Sequence, residues 1–188
     1  MTETPEKSID ELTAEFYMLM GEAIAQWAKL EAYLFKSCRA ALGASSQRAA
    51  IVYMRTPTLE SRRLLVNDLL ETRLPLRHQN GGKEHPDAQE WKSVTDSLKG
   101  LLPTRNQIAH RPMEPHIDWT EGVDGGVGKA ELWFEITTSD HERARYGGPK
   151  GSLNEVDLRK HIIDVRDLRE RVIEFYVQKL PTHARLLP

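Results

Sequence analysis

The sequence predicts a mostly α-helical bundle with one appended β-hairpin. Apolar residues recur at helical spacing along most of the 188-residue chain, and the spacing changes to two only between Pro115 and Thr138. Residues typical of helix starts and stops flank the periodic segments. Because a domain usually holds roughly 100–200 residues, we expect a single domain over residues 8–180, with flexible tails at 1–7 and 181–188.

A long first helix is predicted from about Ser8 to Leu42. Its apolar positions alternate steps of three and four, and 29 residues over eight steps give a period of 3.6. The apolar line consists of Leu12, Phe16, Leu19, Ala23, Trp27, Leu30, Leu34, Cys38 and Ala41. Gly43 follows at a position where glycine commonly ends a helix. A helix of this length can organise a bundle.

Four further helices are predicted after the first. Asp87 with Glu90, and Ser152 with Glu155, have the spacing of capping boxes. Pro103 lies within an apolar period and is expected to kink or restart its helix, because proline has no amide proton. The predicted ranges are 47–55, 58–73, 88–111 and 153–180.

A β-hairpin is predicted at about 115–138. Ile117 and Trp119 alternate before a Gly-rich turn, and Leu132, Phe134 and Ile136 alternate after it. Since an isolated hairpin is marginally stable in water, this one must pack on the helices or on a partner.

Composition excludes several classes of protein. Lys plus Arg number 26 against 28 Asp plus Glu, a net charge of −2, so a general polyanion-binding protein is disfavoured and no DNA partner is expected. The sole cysteine, Cys38, permits no internal disulfide and is expected to be inert packing. The sequence contains no His-Glu-x-x-His run or similar spacing of metal ligands, so no metal and no other cofactor are expected. Without a secretory pattern or a long apolar stretch, we expect a soluble cytoplasmic protein with no membrane association.

Positive charge is concentrated between residues 36 and 63. Six basic residues stand there against Glu60 alone, a local net charge of 6 − 1 = +5. A basic surface of this kind favours phosphate contacts. The residues expected to contact RNA phosphates are Arg48, Arg55, Arg62, Arg63 and Arg111.

The strongest chemical signal is the run Arg105-Asn106-Gln107-Ile108-Ala109-His110. Arg105 stands on an apolar line that a core fills with Leu, and a buried unpaired guanidinium is costly, so an anion or a second surface should meet it. Asn106 and His110 are four residues apart and share a helix face, whereas Arg105 lies about 140° from His110 and must reach round. The three side chains are therefore expected to converge on one phosphate.

This hexapeptide resembles the Arg-Asn-x-x-x-His motif of the HEPN superfamily. The Trp-Ala-x-Leu-Glu run at 27–31 is also similar to the first helix of many HEPN-like proteins. Members of this family are all-helical bundles that commonly dimerise and often cleave RNA without a metal. The resemblance implies an HEPN-like up-and-down bundle and a metal-independent endoribonuclease of toxin or defence type. It also implies a homodimer, an RNA substrate and an antitoxin protein as partner.

The resemblance implies catalytic roles for Arg105, Asn106 and His110. His110 would act as general base or acid toward the ribose 2′-hydroxyl, because imidazole exchanges protons near neutral pH. Arg105 would stabilise charge on the phosphorane oxygens, and Asn106 would orient His110 or hold the phosphate. One chain supplies a single such His, so the acid and base roles would fall to two copies at a twofold axis.

Two other hypotheses stay open. A non-catalytic HEPN-like dimer that binds RNA, a nucleotide or a protein would keep the motif for interface packing, and the near-neutral charge favours it. A purely structural adaptor would need Arg105 to be neutralised by an acid of its own chain. These hypotheses differ in whether Arg105 and His110 line an open cleft or a sealed one.

Overall fold

A computed structural model describes residues 8–73, 85–110, 113–118, 131–136 and 153–180. Most of these residues lie in five helices, which confirms the prediction of a mostly α-helical fold. The predicted tails at 1–7 and 181–188 lie outside the described residues. No helix in the described ranges is both long enough and apolar enough to cross a membrane. The helices are α1 (Ile9–Leu42), α2 (Ser46–Arg55), α3 (Leu59–Arg73), α4 (Pro86–His110) and α5 (Glu155–Gln178).

Helix α1 begins at a capping box and ends at a left-handed glycine. The Ser8 N–H donates to Glu11 Oε2 at 2.8 Å, and the Glu11 N–H donates back to Ser8 Oγ at 3.3 Å. Gly43 has a φ of 60° and stops the helix. The period of 3.6 identified the buried face, since every predicted apolar residue beyond Leu12 is buried. These residues are Phe16, Leu19, Ala23, Trp27, Leu30, Leu34, Cys38 and Ala41.

Hydroxyl side chains cap the next two helices. Ser45 Oγ accepts the N–H of Arg48 at 3.4 Å, before α2. Thr58 Oγ1 accepts the N–H of Ser61 at 3.0 Å, before α3. Each hydroxyl satisfies one amide that has no partner within its helix. The predicted break between the two helices at 56–58 is confirmed.

The last two helices begin at residues other than the predicted caps, and Ser152 of the second predicted box lies outside the described residues. At α4, which begins at Pro86, the ring Nδ1 of His85 accepts the N–H of Asp87 at 3.2 Å. At α5, Asn154 Oδ1 accepts the N–H of Asp157 at 2.8 Å, and Asp157 Oδ2 accepts the N–H of Asn154 at 3.2 Å. The α5 box therefore stands two residues further along the chain than predicted, because Asn is as good a cap as Ser.

Pro103 does not restart its helix, and the helix predicted at 88–111 is one continuous element. Helix α4 runs continuously from Pro86 to His110 with Pro103 inside it. Proline removes one helical hydrogen bond at a cost of about 3 kcal/mol. The buried residues Leu102 and Ile108 on either side of it hold the helix in place through packing.

Two short strands pair in antiparallel fashion. Strand β1 (Met113–Asp118) and strand β2 (Glu131–Ile136) set Met113 opposite Ile136 and Asp118 opposite Glu131. The Gly-rich turn of the predicted hairpin, between 119 and 130, lies outside the described residues.

The predicted single domain contains two compact units. The first unit comprises Met1–Ile24 and Thr104–Ile162, and the second comprises Ala25–Pro103 and Ile163–Pro188. The core of the first unit consists of Phe16, Leu19, Ala23, Ile108, Leu153, Leu158 and Ile162. The core of the second unit includes Trp27, Leu30, Leu34, Tyr53, Val66, Leu70, Trp91, Leu98, Val165 and Phe175.

Replacing Gly43 with Ala is expected to destabilise the protein by about 1 kcal/mol, since a Cβ is strained in the left-handed region. The added Cβ would also stand 3.2 Å from Arg73 Nη2. Gly21→Ala is the matched control, because Gly21 lies inside α1 and nothing stands within 4 Å of its added Cβ. That variant is expected to gain about 1 kcal/mol. Urea unfolding followed by circular dichroism measures both changes, and a gain for Gly43→Ala would contradict the helix end described above.

Candidate functional site

One buried residue, Ile108, anchors the last turn of α4. Its side chain is 5% exposed and joins the core of the first unit, where Phe16 also lies. Asn106 and His110 are exposed on the other side of the helix. Both stand two residues from Ile108, which places them about 200° away around the helix axis. Burial of Ile108 therefore directs these two polar side chains away from the core.

Three side chains of the predicted motif converge at this exposed turn. Nη1 of Arg105 donates to Oδ1 of Asn106 at 3.2 Å and lies 3.0 Å from Nε2 of His110. A guanidinium cannot accept a hydrogen bond, so Nε2 is the acceptor in this contact. Arg105 thus reaches round the helix as the spacing predicts. Convergence on a phosphate stays a prediction.

Arg105 is partly buried, whereas the sequence places it on the buried line. That line in α4 passes through Leu98, Leu102 and Ile108, and Arg105 stands at its edge. No carboxylate among the described residues forms an ion pair with Arg105. The adaptor hypothesis, which requires such a carboxylate, therefore finds no support in this part of the chain.

Arg105 contacts its two neighbours through Nη1 alone. Its Nε and Nη2 atoms, which form the other edge of the guanidinium, donate to no residue in the described ranges. An arginine edge of this kind matches two oxygens of a phosphate. The Nε–Nη2 edge of Arg105 can therefore accept an anionic group.

Arg62, predicted to contact phosphate, is bound by groups of its own chain. Its Nη1 forms an ion pair with Glu31 Oε1, and its Nε donates to the carbonyl oxygen of Thr56 at 3.0 Å. Its guanidinium carbon lies 5.3 Å from the ring centre of Tyr53. The Tyr53 hydroxyl donates to the Glu31 carbonyl at 3.5 Å, and burial raises the pKa of Tyr53 well above its usual range. No local spacing in the sequence indicates this network, because 31 residues separate Glu31 from Arg62.

Arg63 is bound by a carboxylate as well. It is 9% exposed, and its Nε and Nη2 each lie 2.7 Å from an oxygen of Glu60. The hydrogen bonds from Arg63 lower the pKa of Glu60 below its usual value of 4.5. The expectation that few acids neutralise this segment is therefore wrong for Arg62 and Arg63.

The other arginines predicted to contact phosphate differ from these two. Arg48 and Arg55 lie exposed on α2, in the second unit, and neither side chain forms an ion pair within the described ranges. Arg111 lies outside the described residues. The Arg105–His110 motif belongs to the first unit.

Cys38 and two tryptophans are core residues. Cys38 is fully buried, and burial raises the pKa of its thiol to about 11, which confirms inert packing. Trp27 and Trp91 are 5% and 2% exposed, so neither offers a face on which a base could stack. Among the described residues, no three His, Cys, Asp or Glu side chains are grouped as a metal ion would require.

Comparisons with models of protein families, with curated proteins and with solved structures returned no match to this chain. The chemistry of the site is therefore inferred from its own residues. The contacts of Arg105, Asn106 and His110 are the geometry on which that inference depends.

Glu60→Gln is expected to lower stability at neutral pH and to have little effect in acid. A pKa lowered by folding means that the ionised carboxylate stabilises the protein above the usual value of 4.5. This stabilisation is lost as the pH falls through the lowered pKa of the folded state. Chemical unfolding across that range measures the effect, and a difference between the two proteins that grows on acidification would contradict the assigned ion pair.

Proposed function

We propose that the protein is a cytoplasmic, metal-independent endoribonuclease of HEPN type, as found in toxin and defence systems. The observation that carries the proposal is the convergence of Arg105, Asn106 and His110 at the exposed end of α4, with Nη1 3.2 Å and 3.0 Å from its two partners. In this proposal the fold is an HEPN-like bundle, to which β1 and β2 add a hairpin.

The first step is capture of the scissile phosphate by Arg105. Two phosphate oxygens accept from Nε and Nη2, the donors that the described part of the chain leaves unused. Asn106 Oδ1 accepts from Nη1 and so restrains the guanidinium, which lowers the entropy lost when the phosphate binds. Charge-assisted hydrogen bonds to phosphate are stronger than a bond to a neutral ring nitrogen. The bound phosphate therefore draws Arg105 away from His110.

Release of this contact exposes the lone pair on Nε2 of His110. Nε2 then takes the proton of the adjacent ribose 2′-hydroxyl, and the 2′-oxygen attacks phosphorus. Arg105 stabilises the charge that develops on the phosphorane oxygens. The P–O5′ bond breaks, and the departing oxygen receives a proton from an acid supplied by a second copy of the chain. The products are a 2′,3′-cyclic phosphate and a 5′-hydroxyl.

A second candidate function is a non-catalytic HEPN-like dimer that binds RNA, a nucleotide or a protein. The ion pairs of Arg62 with Glu31 and of Arg63 with Glu60 favour it. They occupy two of the arginines that were predicted to contact phosphate, and an RNA-cleaving enzyme needs such contacts to hold its substrate.

His110→Ala is expected to lower RNA cleavage by on the order of 10²–10⁴-fold, because general acid–base catalysis typically contributes that much. Arg105→Ala is expected to lose a comparable factor through loss of phosphorane stabilisation. The measurement is a gel assay on single-stranded RNA with EDTA present. A 2′-deoxy substitution at the cleaved position should abolish the reaction, since it removes the nucleophile.

Arg159→Ala is the matched control for these variants. Arg159 is an exposed arginine of the same unit, ion-paired with Glu155 at 2.7 Å, and it takes no part in the proposed site. It should retain full activity. Wild-type protein that leaves both single-stranded and structured RNA intact, with an Arg105→Ala variant that melts several degrees lower, would favour the second candidate instead.

Light scattering at micromolar concentration should give about twice the chain mass of 21.5 kDa. A homodimer is expected because one chain supplies one His110, whereas the proposed reaction needs both a base and an acid. Specific cleavage activity should also fall on dilution below the dissociation constant of the dimer. A strictly monomeric protein that cleaves RNA would contradict the shared site.

A further inference from the structure

Helix α2 presents an unusual combination of side chains to solvent. Ile51, Val52 and Met54 are 55%, 42% and 59% exposed, although large aliphatic side chains are usually buried. Arg48 and Arg55 are exposed beside them. At 100° per residue, Arg48, Ile51, Met54 and Arg55 lie on the side opposite the buried residues, and Val52 lies at the edge of that side. Along the helix axis the two arginines come first and last, with the aliphatic residues between them. These five side chains are called the α2 face below.

The α2 face is held rigidly. Ala49 and Tyr53, on the opposite side of the same helix, are fully buried in the second unit. Ser45 caps the start of the helix, and the Thr56 N–H donates to the Tyr53 carbonyl oxygen at 3.3 Å at its end. A surface fixed in this way loses little conformational entropy on binding, which favours recognition.

The charge of the α2 face has one sign. The sequence contains no acidic residue between Glu31 and Glu60, and both of these glutamates are already bound, to Arg62 and Arg63. Arg48 and Arg55 thus remain without a carboxylate in the described ranges. A partner that covers the aliphatic row must bring acids to both of its ends, since removing two unpaired cations from water is costly.

We propose that the α2 face docks an acidic amphipathic helix of a partner protein. The apolar side of that helix covers Ile51, Val52 and Met54, and Asp or Glu residues flanking it pair with Arg48 and Arg55. Arginine and methionine are enriched at protein interfaces, whereas lysine, the usual cation of solvated surfaces, is absent from α2. This surface belongs to the second unit and does not depend on the activity of Arg105 and His110.

The same face is a poor match for RNA or for a membrane. Proteins hold single-stranded RNA by stacking bases on aromatic rings or guanidinium groups, and the centre of this face is aliphatic. Helices that bind membranes carry Trp, Phe or Leu beside many cations, whereas α2 offers three aliphatic residues and two arginines over ten residues.

The probe is a fluorescent synthetic helix of about five turns, with Leu along one side and Glu on both flanks. Anisotropy titration of the full-length protein should give saturable binding that weakens as salt rises. Ile51→Asp should weaken it by about tenfold or more, as for residues at the centre of an interface. Ile163→Asp is the matched control, since Ile163 is 53% exposed on α5, and it should bind like the wild type.

Charge reversal provides a test that does not depend on the aliphatic row. Arg48→Glu with Arg55→Glu should abolish binding of the Glu peptide and create binding to a peptide with Lys in place of Glu. Lys92→Glu with Lys99→Glu is the control, because these exposed lysines have the same seven-residue spacing on α4. It changes the net charge equally and should leave Glu-peptide binding intact.

Four results would overturn the proposal. Two concern the peptides: the Glu peptide shows no saturable binding, or wild-type protein binds the Lys peptide equally well. The third is binding to a single-stranded oligoribonucleotide or to anionic vesicles that depends on Ile51. The fourth is a homodimer that the Ile51→Asp substitution dissociates. Cleavage of RNA by the Ile51→Asp protein, measured in parallel, separates failure of this proposal from failure of the proposed function.

Discussion

The fold depends on one continuous line of buried side chains along α1. Phe16, Leu19 and Ala23 lie in the core of the first unit, and the line from Trp27 to Ala41 lies in the core of the second. Burying each large side chain contributes about 1.5–3 kcal/mol. A change in the phase of this helix would expose residues of both cores at once. In each unit, the other core residues therefore pack on the face of α1 that carries these buried side chains.

Burial of Ile108 in the core of the first unit sets the geometry of the Arg105–His110 site. Because Ile108 is buried with residues of α1 and α5, the last turn of α4 has one rotational setting. That setting exposes Asn106 and His110 and leaves Arg105 at the edge of the core. The hydrogen bonds of Arg105 then follow from the length of its side chain. A chemical site can thus be assembled from one helical turn when a single apolar residue holds that turn.

Features confined to one helix were predictable from the sequence, and features that join distant segments were not. The period of 3.6 identified the buried face of α1, and the spacing within α4 predicted the meeting of Arg105 with His110. The ion pair between Arg62 and Glu31 was missed because 31 residues separate the partners and only tertiary packing brings them together. The predicted helix at 88–111 is continuous through Pro103, where packing outweighs the local penalty of the proline.

The buried thiol of Cys38 has a practical consequence for work on this protein. A fully buried cysteine whose pKa is about 11 carries little thiolate at neutral pH and is closed to bulky reagents. Since the chain contains no other cysteine, the native sequence is an unreactive background for thiol-specific chemistry. A cysteine introduced at any exposed position would then be the one site that maleimide dyes or spin labels modify. Distances between chosen positions could be measured in this way without first removing a native residue.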